Sequence, residues 1–421
     1  MDGFKDRLWP AGFGLPAFRR CRRRMTAAMA GALALALPAG GAAWAQEPLK
    51  LGVLNDLQGS FADLGGAGSI LATQMAVEDF GGQVLGRPIV VISADSQNKP
   101  DVATGIARRW FDVEKVEAVI DPVPSTVALG VQDLARERNK MVIVTSSGLV
   151  DVTGKNCTPT SFQWAYDTLV LAKGTASTVA REEGGKNWFF ITADVAFGHS
   201  LANESKAVVL ANGGTVKGEV RHPYITSDFS SFILQALASG ADVVALANSG
   251  ADTTNSVRQA IEFGIGQGKT RLVAMLAFVT DVKSLGLDRA KGLLLTESFY
   301  WDLNDETRAW SKRFGDRFGG RMPSMAQAAT YSGVSHYLKA IKAAGTTDAK
   351  VVADKMREMP INDFMVKDGR AQKDGRIVHD FYLFQVKAPE ESKGPWDLYK
   401  LVRTIPAAEV TPPEGSTGCR L

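Results

Sequence analysis

The sequence predicts an α/β fold built from two similar lobes, each a parallel sheet covered by helices on both faces. From Leu49 onward, short apolar runs of strand length alternate with segments whose apolar residues recur at helical spacing. The alternation restarts after Asp167, so the pattern occurs twice. About 376 residues follow an export-type leader, which fits two domains.

In the first series, residues 51–54 are an apolar run ending in Asn55-Asp56-Leu57-Gln58-Gly59, a strand and then a loop. Ala72, Ala76 and Phe80 recur every four residues and predict a helix. Residues 89–92 are a second buried strand, and Val102, Ile106 and Trp110 mark the next helix. Residues 118–120 are a strand, Val127, Val131 and Leu134 a helix, and residues 141–144 another strand.

In the second series, residues 188–191, 243–246 and 272–276 read as strands. Thr226-Ser227-Asp228 precedes Phe229, Phe232, Ile233, Ala236 and Leu237, a capped amphipathic helix. Val257, Ala260 and Ile261 mark one more. Residues 304–318 and 325–344 then read as consecutive helices with no strand between them. Residues 381–386 are the last strand, and the Pro- and Gly-containing tail 410–421 is irregular.

The leader explains the first 45 residues. Lys5, Arg7, Arg19, Arg20, Arg22, Arg23 and Arg24 stand before an uncharged stretch, 25–45. That stretch holds the apolar run 32–37, then Pro38, small residues and Ala43-Trp44-Ala45. This is a signal peptide, with cleavage expected after Ala45 and a mature start at Gln46. The apolar run is shorter than the roughly 20 residues that span a bilayer. Residues 1–45 carry seven basic and two acidic side chains, a net +5, so their removal takes the chain from +3 to near −2. Such a balance argues against nucleic acid or an anionic membrane surface as partner. Of three cysteines, Cys21 leaves with the leader; Cys157 and Cys419 are expected to pair outside the cytoplasm and tie the tail to a loop in the first half.

Several chemistries are unsupported. Gly264-Ile265-Gly266-Gln267-Gly268-Lys269-Thr270 ends like a phosphate loop, but Phe263 stands where the first glycine belongs. It also follows a helix and precedes a strand, the reverse of a phosphate cradle, so it reads as a solvated turn. Gly66-Ala67-Gly68 lacks the third glycine of a dinucleotide fingerprint. His199, His222, His336 and His379 share no metal-ligand spacing, and no nucleophile elbow occurs. No cofactor and no metal are expected.

Ligands of a parallel α/β sheet bind beyond the carboxyl ends of its strands. In the first lobe those positions hold residues 59–66, Asp121-Pro122-Val123-Pro124-Ser125-Thr126 and Thr145-Ser146-Ser147-Gly148. In the second lobe they hold Asp194-Val195-Ala196-Phe197-Gly198, Asn248-Ser249-Gly250-Ala251 and Ala277-Phe278. Hydroxyls at a helix start suit a carboxylate; aromatic side chains suit an apolar body. Ser125 and Thr126 are read either as ligand groups or as plain N-caps.

Together these stretches resemble a periplasmic substrate-binding protein of the leucine/isoleucine/valine-binding family, which serves ABC importers. The resemblance rests on Gly59-Ser60-Phe61-Ala62-Asp63-Leu64-Gly65, Asp95, Pro124-Ser125-Thr126-Val127-Ala128-Leu129, residues 141–147 and Tyr166-Asp167-Thr168. It continues through Ala196-Phe197-Gly198, Asp228-Phe229-Ser230, Tyr331-Ser332-Gly333-Val334 and Ala343-Ala344-Gly345-Thr346-Thr347-Asp348. The order and spacing of these pieces, rather than any one of them, carry the likeness.

The resemblance implies a type I periplasmic binding protein fold: two Rossmann-like lobes with parallel sheets, joined by a three-crossover hinge near Asp167, 296–299 and 376–379. The first lobe would be 46–167 plus 298–377, and the second 168–297 plus 378–421. It implies that Ser125 or Thr126, with Ser146, Ser147 and Gly148 from the segment 146–149, hold a ligand carboxylate. Leu64 stands where the family often has an aromatic wall, and Phe197 where it often has Tyr.

One departure matters. Amino-acid binders of this family place an acid after the strand read here as 272–276, yet Ala277-Phe278-Val279 follows it. A buried ammonium without a partner costs several kcal/mol, so an apolar or aromatic acid fits Phe197 and Phe278 better than an α-amino acid; Asp167, at a crossover, is read either as a substitute partner or as a cap of backbone there. The expected protein is a monomeric, non-catalytic periplasmic subunit that hands a small apolar carboxylate, either a branched-chain or hydrophobic amino acid, the family's commonest assignment, or an aromatic or aliphatic acid, to an ABC import permease. The rivals are a sensor of the same fold for a separate receptor and an exported α/β hydrolase.

Overall fold

The computed structural model describes residues 47–181 and 185–421. The leader, its cleavage after Ala45, Gln46 and Cys21 lie outside the described residues. The strands are β1 (Leu49–Asn55), β2 (Gln83–Val84), β3 (Arg87–Asp95), β4 (Val116–Ile120), β5 (Met141–Val144), β6 (Ser161–Gln163), β7 (Asn187–Ala193), β8 (Thr215–His222), β9 (Val243–Ala247), β10 (Arg271–Ala274), β11 (Leu294–Glu297), β12 (Arg370–Ala371), β13 (Ile377–Val378), β14 (Phe381–Val386) and β15 (Tyr399–Ile405). The helices are α1 (Gly66–Phe80), α2 (Pro100–Arg109), α3 (Ser125–Glu137), α4 (Thr168–Leu171), α5 (Ser177–Arg181), α6 (Ala196–Ala211), α7 (Ser230–Ala238), α8 (Ala251–Glu262), α9 (Val279–Leu285), α10 (Leu287–Ala290), α11 (Asp305–Arg317), α12 (Met325–Ala344), α13 (Ala349–Glu358) and α14 (Ala407–Val410).

The first sheet has the order β2-β3-β1-β4-β5-β6. All its pairings are parallel except the edge hairpin β2–β3. Strands β4 and β5 read as continuous apolar runs because both of their faces are covered. Val119, Val142 and Val144 pack toward α2 and α3, while Ala118, Ile120, Met141 and Ile143 pack toward α1 and α12.

The second sheet, β10-β9-β7-β8, is wholly parallel. Trp188, Phe190, Val243 and Ala245 face α6; Phe189, Ile191, Val244 and Leu246 face α7 and α8. A third sheet, β11-β14-β15, is antiparallel and was not foreseen beyond β14.

Three connections link the halves: from β6 to β7, from β11 to α11, and from β13 to β14. They touch one another. The Thr175 and Thr296 hydroxyls are 2.8 Å apart, and the Gln163 N–H donates to Gly375 O at 2.9 Å. Ser324 caps α12 within an S-x-x-Q box, and its hydroxyl also donates to Leu64 O at 2.6 Å, fixing the loop after β1.

Two details differ from expectation, and one agrees. Helix α7 starts at Ser230 with Phe229 as its N-cap, while the Asp228 carboxylate accepts the Ser230 N–H at 2.9 Å. The strand read as 272–276 ends at Ala274. The glycine-rich stretch 264–270 is, as expected, the turn from α8 into β10.

Cys157 and Cys419 form a disulfide. Gln372 Nε2 donates to Pro412 O at 3.5 Å, and the Lys373 N–H to Glu414 Oε1 at 3.1 Å. The end of the tail therefore lies on residues that the expected boundaries give to the first lobe. Among the described residues no helix is long and apolar enough to cross a membrane.

Candidate functional site

The carboxyl ends of both parallel sheets face a cleft of about 700 Å³, counting space open to solvent. The first sheet contributes Phe61 after β1, Asn98 after β3, residues 123–126 after β4, residues 146–148 after β5 and Tyr166 after β6. The second contributes residues 195–197 after β7, Tyr224 after β8 and Ser249 after β9. Parallel strands direct their C-terminal loops to one edge, so residues far apart in sequence meet there.

Ser125 and Thr126 open α3, whose N-cap is Pro124, and no side chain caps this helix. Among the described residues neither hydroxyl has a hydrogen-bond partner, so both are available to a ligand. Helix α6 likewise starts at the cleft, with Val195 as N-cap and no side-chain cap. First-turn N–H groups have no intrahelical acceptor, and the helix dipole adds partial positive charge there. Two such ends, one from each sheet, therefore meet a cleft in which no lining residue is charged.

Ser146 and Ser147 line the cleft with hydroxyls already engaged. Ser146 donates its N–H to Asp121 Oδ1 at 2.7 Å and its Oγ–H to Oδ2 at 2.9 Å. Ser147 Oγ donates to Pro122 O at 2.7 Å. The Ser146 N–H and carbonyl are engaged as well, and the Ser147 carbonyl accepts from Gln163 Nε2 at 3.0 Å, so what this segment offers a ligand is the N–H groups of Ser147 and Gly148. Tyr166 donates its hydroxyl to Ser146 O at 2.7 Å; burial, then the charge of Asp121, pushes its pKa far up and keeps it a donor.

Asp121 stands among the strand-end residues read from the sequence but was not singled out there. It is fully buried behind the cleft wall and also accepts from Asn55 Nδ2 and Ser69 Oγ, each at 2.6 Å. Burial raises its pKa while the donated hydrogen bonds pull the other way. Its signal was an acid directly after an apolar strand, facing another strand-end polar residue, Asn55.

The structure separates three predicted residues from this cleft. Leu64 and Phe278 line a neighbouring cavity of about 630 Å³, which shares Phe61 with the cleft. Phe278 packs edge-on against Tyr166 at 5.9 Å and so backs the cleft wall. Asp167 is buried, ion-paired with Arg376, and accepts the Val170 N–H at 2.9 Å as the cap of α4. Its charge is spent on the crossover, so it does not serve as an ammonium partner in the cleft. Phe197 and Ser249 do line the cleft. Phe61, Asn98, Tyr166 and Tyr224 line it too, without having been singled out.

The expected absence of an acid after β10 needs correction. The chain runs from Ala274 into α9, whose first turn carries Asp281. Its carboxylate accepts the Phe278 N–H at 2.9 Å and lines the neighbouring cavity. Burial pushes its pKa up to about 7.

Gly148 fixes the wall geometrically. A Cβ there would lie 2.1 Å from the Tyr166 ring, which is held between Ser146 and Phe278. Gly148→Ala is expected to displace Tyr166, lower the melting temperature by several degrees and weaken ligand binding at least tenfold, read by thermal unfolding and calorimetry. Among the described residues no group of three or more His, Cys, Asp and Glu could hold a metal ion.

An α/β molecule whose two largest sheets end at an uncharged cleft has the form of a small-molecule binding protein. A family model described as periplasmic binding protein matches residues 48–395. The chain belongs to the periplasmic binding protein family, in its leucine/isoleucine/valine-binding, type I branch. It is 46% identical to a periplasmic binding protein from Burkholderia mallei, with a TM-score of 0.86 over 89% of this chain and 98% of that one. It is 38% identical to a branched chain amino acid ABC transporter periplasmic ligand-binding protein from Burkholderia xenovorans LB400, with a TM-score of 0.78 over 86% and 96%. Leu/Ile/Val-binding protein homolog 8 of Brucella abortus is 27% identical over 225 residues, 51% of this chain and 55% of that relative. The chain thus spans about half the length of that curated relative.

Proposed function

We propose that this chain is a periplasmic solute-binding protein that captures a small carboxylate with an apolar, amine-free body and delivers it to an ABC import permease, without catalysis. The observation that carries the reading is the cleft: two uncapped helix starts and two free hydroxyls meet a lining that has no charged side chain. A carboxylate finds N–H and O–H donors there. An ammonium finds no carboxylate, and leaving it unpaired costs several kcal/mol.

The lobes are 46–167 plus 298–377 and 168–297 plus 378–421, hinged at the three connections, with the tail end folded back on the first lobe. A ligand touching both lobes favours the closed form by population shift, and the closed form is what the permease reads. Export by the leader, with cleavage after Ala45, brings the chain to the compartment where the disulfide is stable.

Replacing Ser125 and Thr126 together by Ala tests the carboxylate end. Affinity for an apolar acid such as benzoate is expected to fall by tenfold or more, because two donors to a charged acceptor are lost. The melting temperature without ligand should move by less than about 2 °C, since neither hydroxyl bonds to the protein. Unchanged affinity would remove both residues from the site.

A second reading is favoured by Asp281 alone. If the ligand reaches past Phe61 into the neighbouring cavity, that carboxylate could pair with an ammonium, as a branched-chain amino acid would require. The Burkholderia xenovorans relative, a branched chain amino acid ABC transporter periplasmic ligand-binding protein, supports the same reading. Leucine binding that is abolished by Asp281→Asn would establish this reading over the first.

A further inference from the structure

The C-terminal tail crosses between the lobes a fourth time. It leaves β15, whose sheet shares a core with the second sheet: Leu295, Phe384 and Tyr399 belong to the same buried cluster as Val244 and Leu272. Helix α14 stays on that side, since the Ala407 N–H donates to Asp380 Oδ1 at 2.8 Å and Val410 O accepts from Lys173 Nζ at 3.3 Å. Pro412 is already on the other side. Its carbonyl accepts from Gln372 Nε2, and residues 372–376 join the first sheet through the Gln163–Arg376 bridge. The passage from Val410 to Pro412 takes two residues, at most about 7 Å of chain. Thr411, between them, lines a small cavity with Trp164, Asp167 and Arg376. Asp167 and Arg376 belong to two of the three other connections, so the tail passes beside the hinge and not over a distant surface.

Hydrogen bonds alone would hold the far end weakly. On the first lobe the tail has Pro412 O at 3.5 Å from Gln372 Nε2 and Glu414 Oε1 at 3.1 Å from the Lys373 nitrogen. Bonds of this kind contribute about 0.5–1.5 kcal/mol each, and residues 413–416 are exposed. The Cys157–Cys419 disulfide makes the hold covalent. Its anchor is rigid. Cys157 lies in the loop between β5 and β6, and Gln132, buried on α3, grips that loop by donating from Nε2 to Val152 O and Asn156 O.

We infer that the disulfide-locked tail is a strap, a fourth hinge strand that narrows the range over which the two lobes swing. The inference rests on the two-lobe, hinged reading and is independent of which ligand the cleft takes. A crossing two residues long cannot follow a wide rotation, and the disulfide stops the tail from peeling off the first lobe to give slack. Confining the ligand-free lobes near the binding arrangement lowers the ordering cost of closure. Disulfides persist in oxidising compartments, so the strap tightens the hinge after export.

Distance distributions between two spin labels on the ligand-free chain test this. Labels at Asp101→Cys on α2 and Asn203→Cys on α6, both exposed positions, report the separation of the lobes. Two variants release the strap. Cys157→Ser with Cys419→Ser removes the bond; eight Gly and Ser residues inserted after Gly415 keep it and add roughly 15 Å of slack. Thermal unfolding checks that each is folded, and if the serine variant is not, the insertion decides alone. Both are expected to widen the distribution by about half or more relative to the parent. Widening in the serine variant but not in a folded insertion variant overturns the strap, because a loosened 150–157 loop would then be the cause. Unchanged distributions in the variants overturn it too, and a broad parent distribution then leaves the hinge standing. One narrow distance shared by all three proteins overturns both.

Discussion

Asp121→Ala is expected to lower the stability of the protein by about 3–5 kcal/mol and to abolish ligand binding. Three residues give four hydrogen bonds to this carboxylate: Asn55, Ser69 and Ser146, the last through both its N–H and its Oγ. All of them are buried. Removing the acceptor leaves these donors unpaired, at roughly 1–3 kcal/mol each before relaxation. The backbone adds to this, because Asp121 sits at φ 56°, where Ala is disfavoured by about 1–2 kcal/mol. Asp121→Asn separates the two effects. It keeps the conformational tolerance and one acceptor oxygen, so its loss should be smaller. Binding fails because Ser146 O anchors Tyr166, the ring that forms one wall of the cleft. Thermal and chemical unfolding check the first part and calorimetry the second. An Ala variant within about 1 °C of the parent would contradict this account of the network.

Glu297→Gln is expected to stabilise the protein at pH 8 by a few kcal/mol and to change little at pH 4.5. Glu297 ends β11 at a crossover and is 1% exposed. The Tyr399 hydroxyl donates to its Oε1 at 2.9 Å, while Oε2 has no partner. Burial is the main cause that pushes its pKa up from 4.5 to about 8. The folded chain therefore keeps a proton that the unfolded chain loses. For an acid with a raised pKa, stability is greatest below the unfolded value, falls as pH rises from about 4.5 to 8, and levels above that. At 1.36 kcal/mol per pH unit, the full fall is at most roughly 4–5 kcal/mol. Gln cannot ionise, so this part of the pH dependence should vanish. Denaturant titrations at pH 5, 7 and 8.5 give the answer. Parallel profiles for the two proteins would show that Glu297 does not carry the burden.

What the sequence made legible was whatever two-sided burial writes plainly. The runs 118–120, 141–144 and 243–246 lie in β4, β5 and β9, whose residues are almost all buried, so their strands announced themselves. Strand β8 has mostly half-exposed or exposed residues at the edge of its sheet, and its Lys217, Glu219 and Arg221 broke the apolar signal. Missing β8 meant missing Tyr224 after it. Strand β15 escaped for the same reason, as an edge strand with Leu401 and Val402 exposed.

The hydroxyls at the strand ends were visible, but their uses were not. Ser146 and Ser147 are committed to Asp121 and Pro122, partners that only the fold brings alongside. The capping role of Asp167 was legible from its place at a crossover, but its ion pair was not, because Arg376 is far along the chain. Leu64 and Phe278 fall one cavity away from their expected place, a displacement smaller than sequence spacing resolves. Asp281 was hidden because β10 stops at Ala274, earlier than the apolar run suggests.

The central claim is an anion site that accepts no amine, and a matched pair of ligands tests it most directly. 3-Phenylpropionate and phenylalanine share a carboxylate and a ring and differ by the ammonium. Titration of the purified chain with each, by calorimetry at pH 7, should show saturable binding of the amine-free acid and at least a hundredfold weaker binding of the amino acid. Tight binding of phenylalanine with none of 3-phenylpropionate would contradict the claim.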